Sequence, residues 1–102
     1  MGNEILPKGW FHATEEESKS LWKELQKELP PGHILFEKPV QVIAHRRGAT
    51  DDILCKSLDE ANRYTVIHLT WSMKTEIDER FPMVEVDGSF EDFVEYESKF
   101  GL

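Results

Sequence analysis

The side chains of this sequence best suited to chemistry are four histidines, one cysteine and a compact Arg/Asp cluster. The cluster, His45-Arg46-Arg47 followed shortly by Asp51-Asp52, is the densest polar stretch in the chain. An Arg fork beside a histidine and a carboxylate can bind an anionic substrate or pass a proton. The same residues flanking a hairpin turn also face one another as cross-strand ion pairs, worth a few tenths to about 1 kcal/mol. Because the spacing specifies no reaction, the ion-pair use is the default expectation. The widest candidate set is His33, His45, Arg46, Asp52 and His68, which needs a cleft beside a sheet to act together.

A metal site is not expected. The chain has no His-Glu-x-x-His and no paired cysteines, so zinc-type ligand spacing is absent, and no cofactor is predicted. Cys55 lies between Leu54 and Lys56. A reactive thiolate needs positive charge and access, so a lone strand cysteine reads as a small buried hydrophobe. Ser72 lacks the Gly-x-Ser-x-Gly elbow of a hydrolase nucleophile. No Walker loop and no Gly-x-Gly-x-x-Gly is present, which removes nucleotide binding by those mechanisms.

Around these residues the chain must supply elements. At 102 residues, 1–102 reads as one domain. Residues 1–13 form an irregular lead-in whose Trp10 and Phe11 dock on the body. Thr14-Glu15-Glu16-Glu17 is a capping box, and Leu21, Trp22, Leu25 and Leu29 follow on one helical face. Pro30-Pro31-Gly32 stops that helix, giving a span of 15–29. His33-Ile34-Leu35-Phe36 is a packed connection or a small extended segment.

Val40–Arg46, Ile53–Leu58 and Tyr64–Trp71 read as three strands, with turns at Gly48–Asp51 and Asp59–Asn62. Their short connections predict antiparallel neighbours. Phe81–Val86 is a possible fourth strand, at an edge because Pro82 cannot donate to a ladder. Asp87-Gly88 reads as a turn, and Ser89 caps a terminal helix over 90–99 with Phe93, Tyr96 and Phe100 on its docked face. The expected fold is α+β: a small antiparallel three- or four-stranded meander sheet flanked by an N-terminal and a C-terminal helix.

In the third strand Ile67, Leu69 and Trp71 share the more apolar face and are expected in the core, with His68 opposite. His45 is expected to share a face with Ile43 and Gln41. Whether it points with His68 depends on register, since one residue of slip reverses the answer. Trp10, Trp22 and Trp71 are expected to supply much of the core volume.

Leu29-Pro30-Pro31-Gly32-His33, Ala44-His45-Arg46-Arg47 with Asp51-Asp52-Ile53-Leu54, and Val66-Ile67-His68-Leu69-Thr70-Trp71 together resemble a pattern in small, mainly bacterial proteins of no established activity. The resemblance covers about residues 10–97 and implies Pro31, Gly32, His33, Arg46, Asp52, His68 and Trp71 as its motif residues. It implies a domain type and no activity.

Charge narrows the function classes. The chain carries 20 acids and 12 bases, a formal −8, so it repels nucleic acid rather than binding it. Residues 72–102 hold nine acids against three bases. No run approaches the roughly 18 apolar residues of a membrane span, and the start has no signal-peptide core. With one cysteine, a reducing cytoplasm is the default, and a monomer is expected. Two functions remain open from sequence. One is a non-enzymatic acidic interaction module for a basic protein, for example an immunity-type inhibitor. The alternative is a small enzyme or ligand-binding protein built on the His/Arg/Asp cluster.

Overall fold

The computed structural model describes residues 5–46, 52–71, 74–78 and 80–101, without the side chains of the last two. The expected turn at Gly48–Asp51, Arg47, Ser72 and the Phe100 side chain lie outside the described residues.

In chain order the elements are β1 (Trp10–His12), α1 (Glu15–Glu28), β2 (Val40–Arg46), β3 (Asp52–Ser57), β4 (Tyr64–His68), β5 (Met83–Gly88) and α2 (Phe90–Tyr96). A π-helical turn, Glu97–Gly101, continues α2. Each strand lies antiparallel beside the next, in the order β1-β2-β3-β4-β5. The sheet therefore has five strands rather than three or four. The fifth comes from the lead-in, where Trp10–His12 pair with Ala44–Arg46 at one edge. The 81–86 segment is a strand shifted to Met83–Gly88, at the other edge; Pro82 stands just before it, and Asp87-Gly88 finishes the strand instead of turning.

Both helices begin as their sequences dictate. Thr14 Oγ1 accepts the Glu17 amide at 3.1 Å, and Glu17 Oε1 accepts the Thr14 amide at 2.9 Å. Ser89 and Asp92 repeat the same reciprocal pair. Leu25 and Leu29 pack with Val42, Ile53, Ile67 and Leu69, so α1 covers one face. Phe93 packs with Trp10, Ala44, Leu54, Tyr64 and Val66, so α2 covers the other. Ile53-Leu54-Cys55 and Val66-Ile67 are consecutive buried residues because these inner strands are covered on both sides. The α2 face is thus a second core, not a solvent face.

Two corrections concern tryptophans. Trp22 is 41% exposed at the margin between α1 and β2, and Trp71 is 39% exposed, whereas Trp10 is buried. The reason for Trp71 is local. β4 ends at His68, and the Thr70 and Trp71 amides turn from the sheet to the Glu28 carboxylate at 2.9 and 2.8 Å. Trp71 sits there at φ +56, out of strand geometry. Ile67 and Leu69 are fully buried, as expected.

Two bulges decide which residues share the α2 face. In β2, Val42 lies opposite Cys55 but Ala44 lies opposite Leu54, leaving Ile43 as the extra residue. In β5, Val86 lies opposite Val66 and Val84 opposite Ile67, leaving Glu85 extra. The first bulge moves Ala44 and Arg46 to the α2 side while Val42 stays with α1. Ile43 packs against the α2-side core, and His45 faces α1, so these two do not share a face.

Candidate functional site

Arg46 ends β2, Asp52 begins β3 and His68 ends β4, so the meander brings all three to one end of the sheet. Asp52 lies directly opposite His68. Its Oδ1 accepts from His68 Nδ1 at 2.7 Å, and its Oδ2 accepts from Arg46 Nε at 2.9 Å. The Arg46 guanidinium also forks onto Glu97, with Nη1–Oε1 at 3.0 Å and Nη2–Oε2 at 2.8 Å. The Trp10 ring lies 4.8 Å from the guanidinium carbon, a cation–π contact. Glu85, the bulge residue, brings Oε2 to 4.0 Å from His68 Nδ1. All five strands and the end of α2 thus meet here.

The cluster is graded from dry to wet. Glu97 and Asp52 are buried, while the His68 side chain is 47% exposed. Among the described residues of the cluster, three carboxylates face one guanidinium. Burial, then the neighbouring Asp52 charge and hydrogen bond, hold the Glu85 carboxyl above its ordinary pKa. Burial, followed by Glu85 and Glu97, raises the Tyr96 phenol as well. Burial by itself disfavours the charged guanidinium of Arg46, but the hydrogen bonds it donates to Glu97 and Asp52, with their negative charge, outweigh it and raise its pKa.

Such an arrangement has two chemical capabilities. A carboxylate on Nδ1–H fixes the imidazole tautomer with Nε2 as the basic nitrogen. Alternatively, an imidazole and two carboxylates form a mixed N/O donor set for a cation.

Of the five sequence candidates, Arg46, Asp52 and His68 come together; His33 and His45 lie elsewhere. His33 is buried beneath the 30–36 connection. Its Nδ1 accepts the Leu35 amide at 3.1 Å, so Nε2 carries the proton and donates to the Pro82 carbonyl at 2.7 Å. Backbone satisfies both nitrogens, and the ring ties the helix exit to the entrance of β5. His45 places Nε2 3.3 Å from Glu17 Oε1, on the α1 side. A cavity of about 570 Å³ lies between the start of α1 and β1–β2, lined by His12, Thr14, Ser18, Lys19, Gln41 and Lys56 among others; it includes none of the cluster.

Sequence reasoning missed Glu85, Tyr96 and Glu97. Glu97 had a signal: it stands four residues after Phe93, on the docked face of α2, where an acid needs a cation. Glu85 had none, because a bulge leaves no mark on the alternation pattern.

The same unused signal marks a second polar cluster. Glu24 and Glu28 fall on the Leu21–Leu25 face of α1 and are buried. Burial first, and then a hydrogen bond with Glu24, push the Glu28 carboxyl up to about 7. Nearby, Glu28 O accepts the Glu76 amide and Lys27 O accepts from Thr75 Oγ1, so the end of α1 holds Thr70, Trp71, Thr75 and Glu76.

No protein-family model, curated protein or solved structure matches this chain. No helix among the described residues is long and apolar enough to cross a membrane.

Proposed function

We propose that this chain binds a small polar ligand at Asp52, His68 and Glu85, with Arg46 and Glu97 clamping Asp52 in place. The observation that carries this reading is the 2.7 Å Asp52–His68 contact within a network drawn from separate elements. A structural ion pair needs only two partners. Here an exposed imidazole is aimed by a buried carboxylate whose other oxygen is already fixed, the pattern by which functional side chains are pre-oriented.

The acidic-module reading draws less support. Much of the negative charge after residue 72 is engaged within the fold: Asp78 with Arg80, Asp87 with Arg63, Glu97 with Arg46, Asp92 in its cap and Glu95 with Lys99. What remains is a thinner field for steering a basic protein.

The test is amide chemical-shift mapping with inorganic phosphate, methylammonium, Zn²⁺, Mn²⁺ and polylysine. Saturable shifts from at least one small probe, centred on residues 46, 52, 68 and 85, are expected. Shifts from polylysine alone, centred on Glu91 and Glu95, overturn the proposal in favour of the interaction module. Silence of the cluster toward every small probe overturns it outright.

A further inference from the structure

Three side chains of the cluster present their donor atoms as ligands around a point. Asp52, His68 and Glu85 each offer one ligand atom, and these three atoms all lie within 4.8 Å of one another; His68 Nδ1 stands 2.7 Å from Asp52 Oδ1 and 4.0 Å from Glu85 Oε2. Donors so spaced surround a single ion at bond lengths of roughly 2.0–2.2 Å after small side-chain movements, the ion replacing the proton between His68 and Asp52, which passes to Nε2 or to solvent. They come from three adjacent strands, β3, β4 and β5, so the sheet rather than a flexible loop sets their positions.

Resting on the ligand-site reading above, we infer that the ligand is a divalent first-row transition-metal ion, held by Asp52, His68 and Glu85. Arg46 does not oppose this. It donates to Asp52 Oδ2, leaving Oδ1 on the His68 side, and Glu97 neutralises its charge through both oxygens. Metal-binding carboxylates characteristically have a second oxygen held this way, which orients them. One imidazole with two carboxylates is borderline in softness and suits Zn²⁺ or Mn²⁺ better than Mg²⁺. Three protein ligands under a half-exposed imidazole leave coordination positions for water or substrate, as in catalytic rather than structural sites. The sequence spacing conceals the set, because its members lie 16 and 17 residues apart and meet only through pairing and the Glu85 bulge.

The experiment titrates the chain with Zn²⁺, Mn²⁺ and Mg²⁺ by calorimetry, and reads Mn²⁺-induced broadening of amide signals. One Zn²⁺ or Mn²⁺ per chain is expected, with the strongest broadening at residues 52, 68 and 85 and weaker Mg²⁺ binding. Glu85→Gln and His68→Ala each weaken binding by at least about tenfold, while His12→Ala and His45→Ala leave it unchanged. Thermal unfolding of each variant checks that it is folded, and Glu85→Gln, which keeps volume, decides between the outcomes should His68→Ala unfold. Binding unaffected by Glu85→Gln, or broadening centred on His12 or His45, overturns the inference. If phosphate or methylammonium shifts the cluster while Zn²⁺ and Mn²⁺ do not, the metal inference fails and the ligand site stands. If every small probe leaves the cluster silent, both fail.

Discussion

Arg46 and Glu97 meet through a two-bond fork at 3.0 and 2.8 Å, joining the last residue of β2 to the turn that follows α2. The fork closes a circuit. Arg46 also holds Asp52, so losing the guanidinium strips the buried Glu97 carboxylate of both fork bonds and leaves Asp52 with His68. Removing one member of a buried ion pair costs about 3–5 kcal/mol, far more than the net worth of the pair. Arg46→Ala is therefore expected to lower the urea-unfolding free energy by about 3 kcal/mol or more. Glu97→Gln, which leaves the guanidinium with Asp52, costs less. Equal losses in the two variants would show that Asp52 does not depend on Arg46.

Cys55 is inert in the native state. It is buried between α1 and the sheet, and burial raises its thiol to about 12. A thiolate is the reacting species, so both its population and its access vanish at neutral pH. Ellman's reagent should modify native protein at the rate of unfolding and modify urea-unfolded protein at once. Stoichiometric labelling within seconds in buffer would contradict this placement.

Much of the frame was legible because local physics writes it into adjacent residues. Thr14 with Glu17 and Ser89 with Asp92 name their helix starts, and Val40–Arg46 reads as a strand from its β-branched residues. Arg46 and Asp52 were legible as a pair because they flank one hairpin. What was hidden depends on long-range geometry. Trp10–His12 is too short to show alternation, and it becomes a strand only because β2 offers an edge. Glu85 joins the cluster through a bulge, and His45 leaves it through another. Glu24, Glu28 and Glu97 were readable in principle, as acids on apolar helix faces, but their partners sit on distant strands and loops.

Gly88 and Ser89 act on the same helix start. A Cβ on Gly88 would come within 2.5 Å of Asp92 Oδ2, the oxygen that accepts the Ser89 amide. Gly88→Ala therefore pushes Asp92 out of the capping box, and Ser89→Ala removes the other half. Loss of an N-cap costs about 1 kcal/mol. Each substitution is expected to destabilise by about that amount, and the double variant by less than the sum, since both break one motif. Strict additivity in a denaturant-based double-mutant cycle would refute the shared mechanism.

Glu28 makes stability depend on pH in the direction opposite to an ordinary surface acid. Its carboxyl is fully buried beside Glu24, and its folded-state value of about 7 stands above the unfolded 4.5. The folded chain therefore holds a proton that the unfolded chain has released between these values. Proton uptake on folding means that stability is greatest below pH 4.5 for this group, declines as pH rises through 7, and levels off beyond. The shift corresponds to about 3 kcal/mol. The amides of Thr70 and Trp71 partly offset it by favouring the charged form, but burial outweighs them. In Glu28→Gln the neutral amide keeps one oxygen for these donors and has no proton to lose. Its unfolding free energy should therefore fall less steeply from about pH 5 to about pH 8 than that of the parent chain. A constant offset between the two curves reports only the lost hydrogen bond; the difference in slope reports the buried proton. Parallel curves across that range would mean that Glu28 stays ionised in the fold and that the Thr70 and Trp71 amides are held by a full charge.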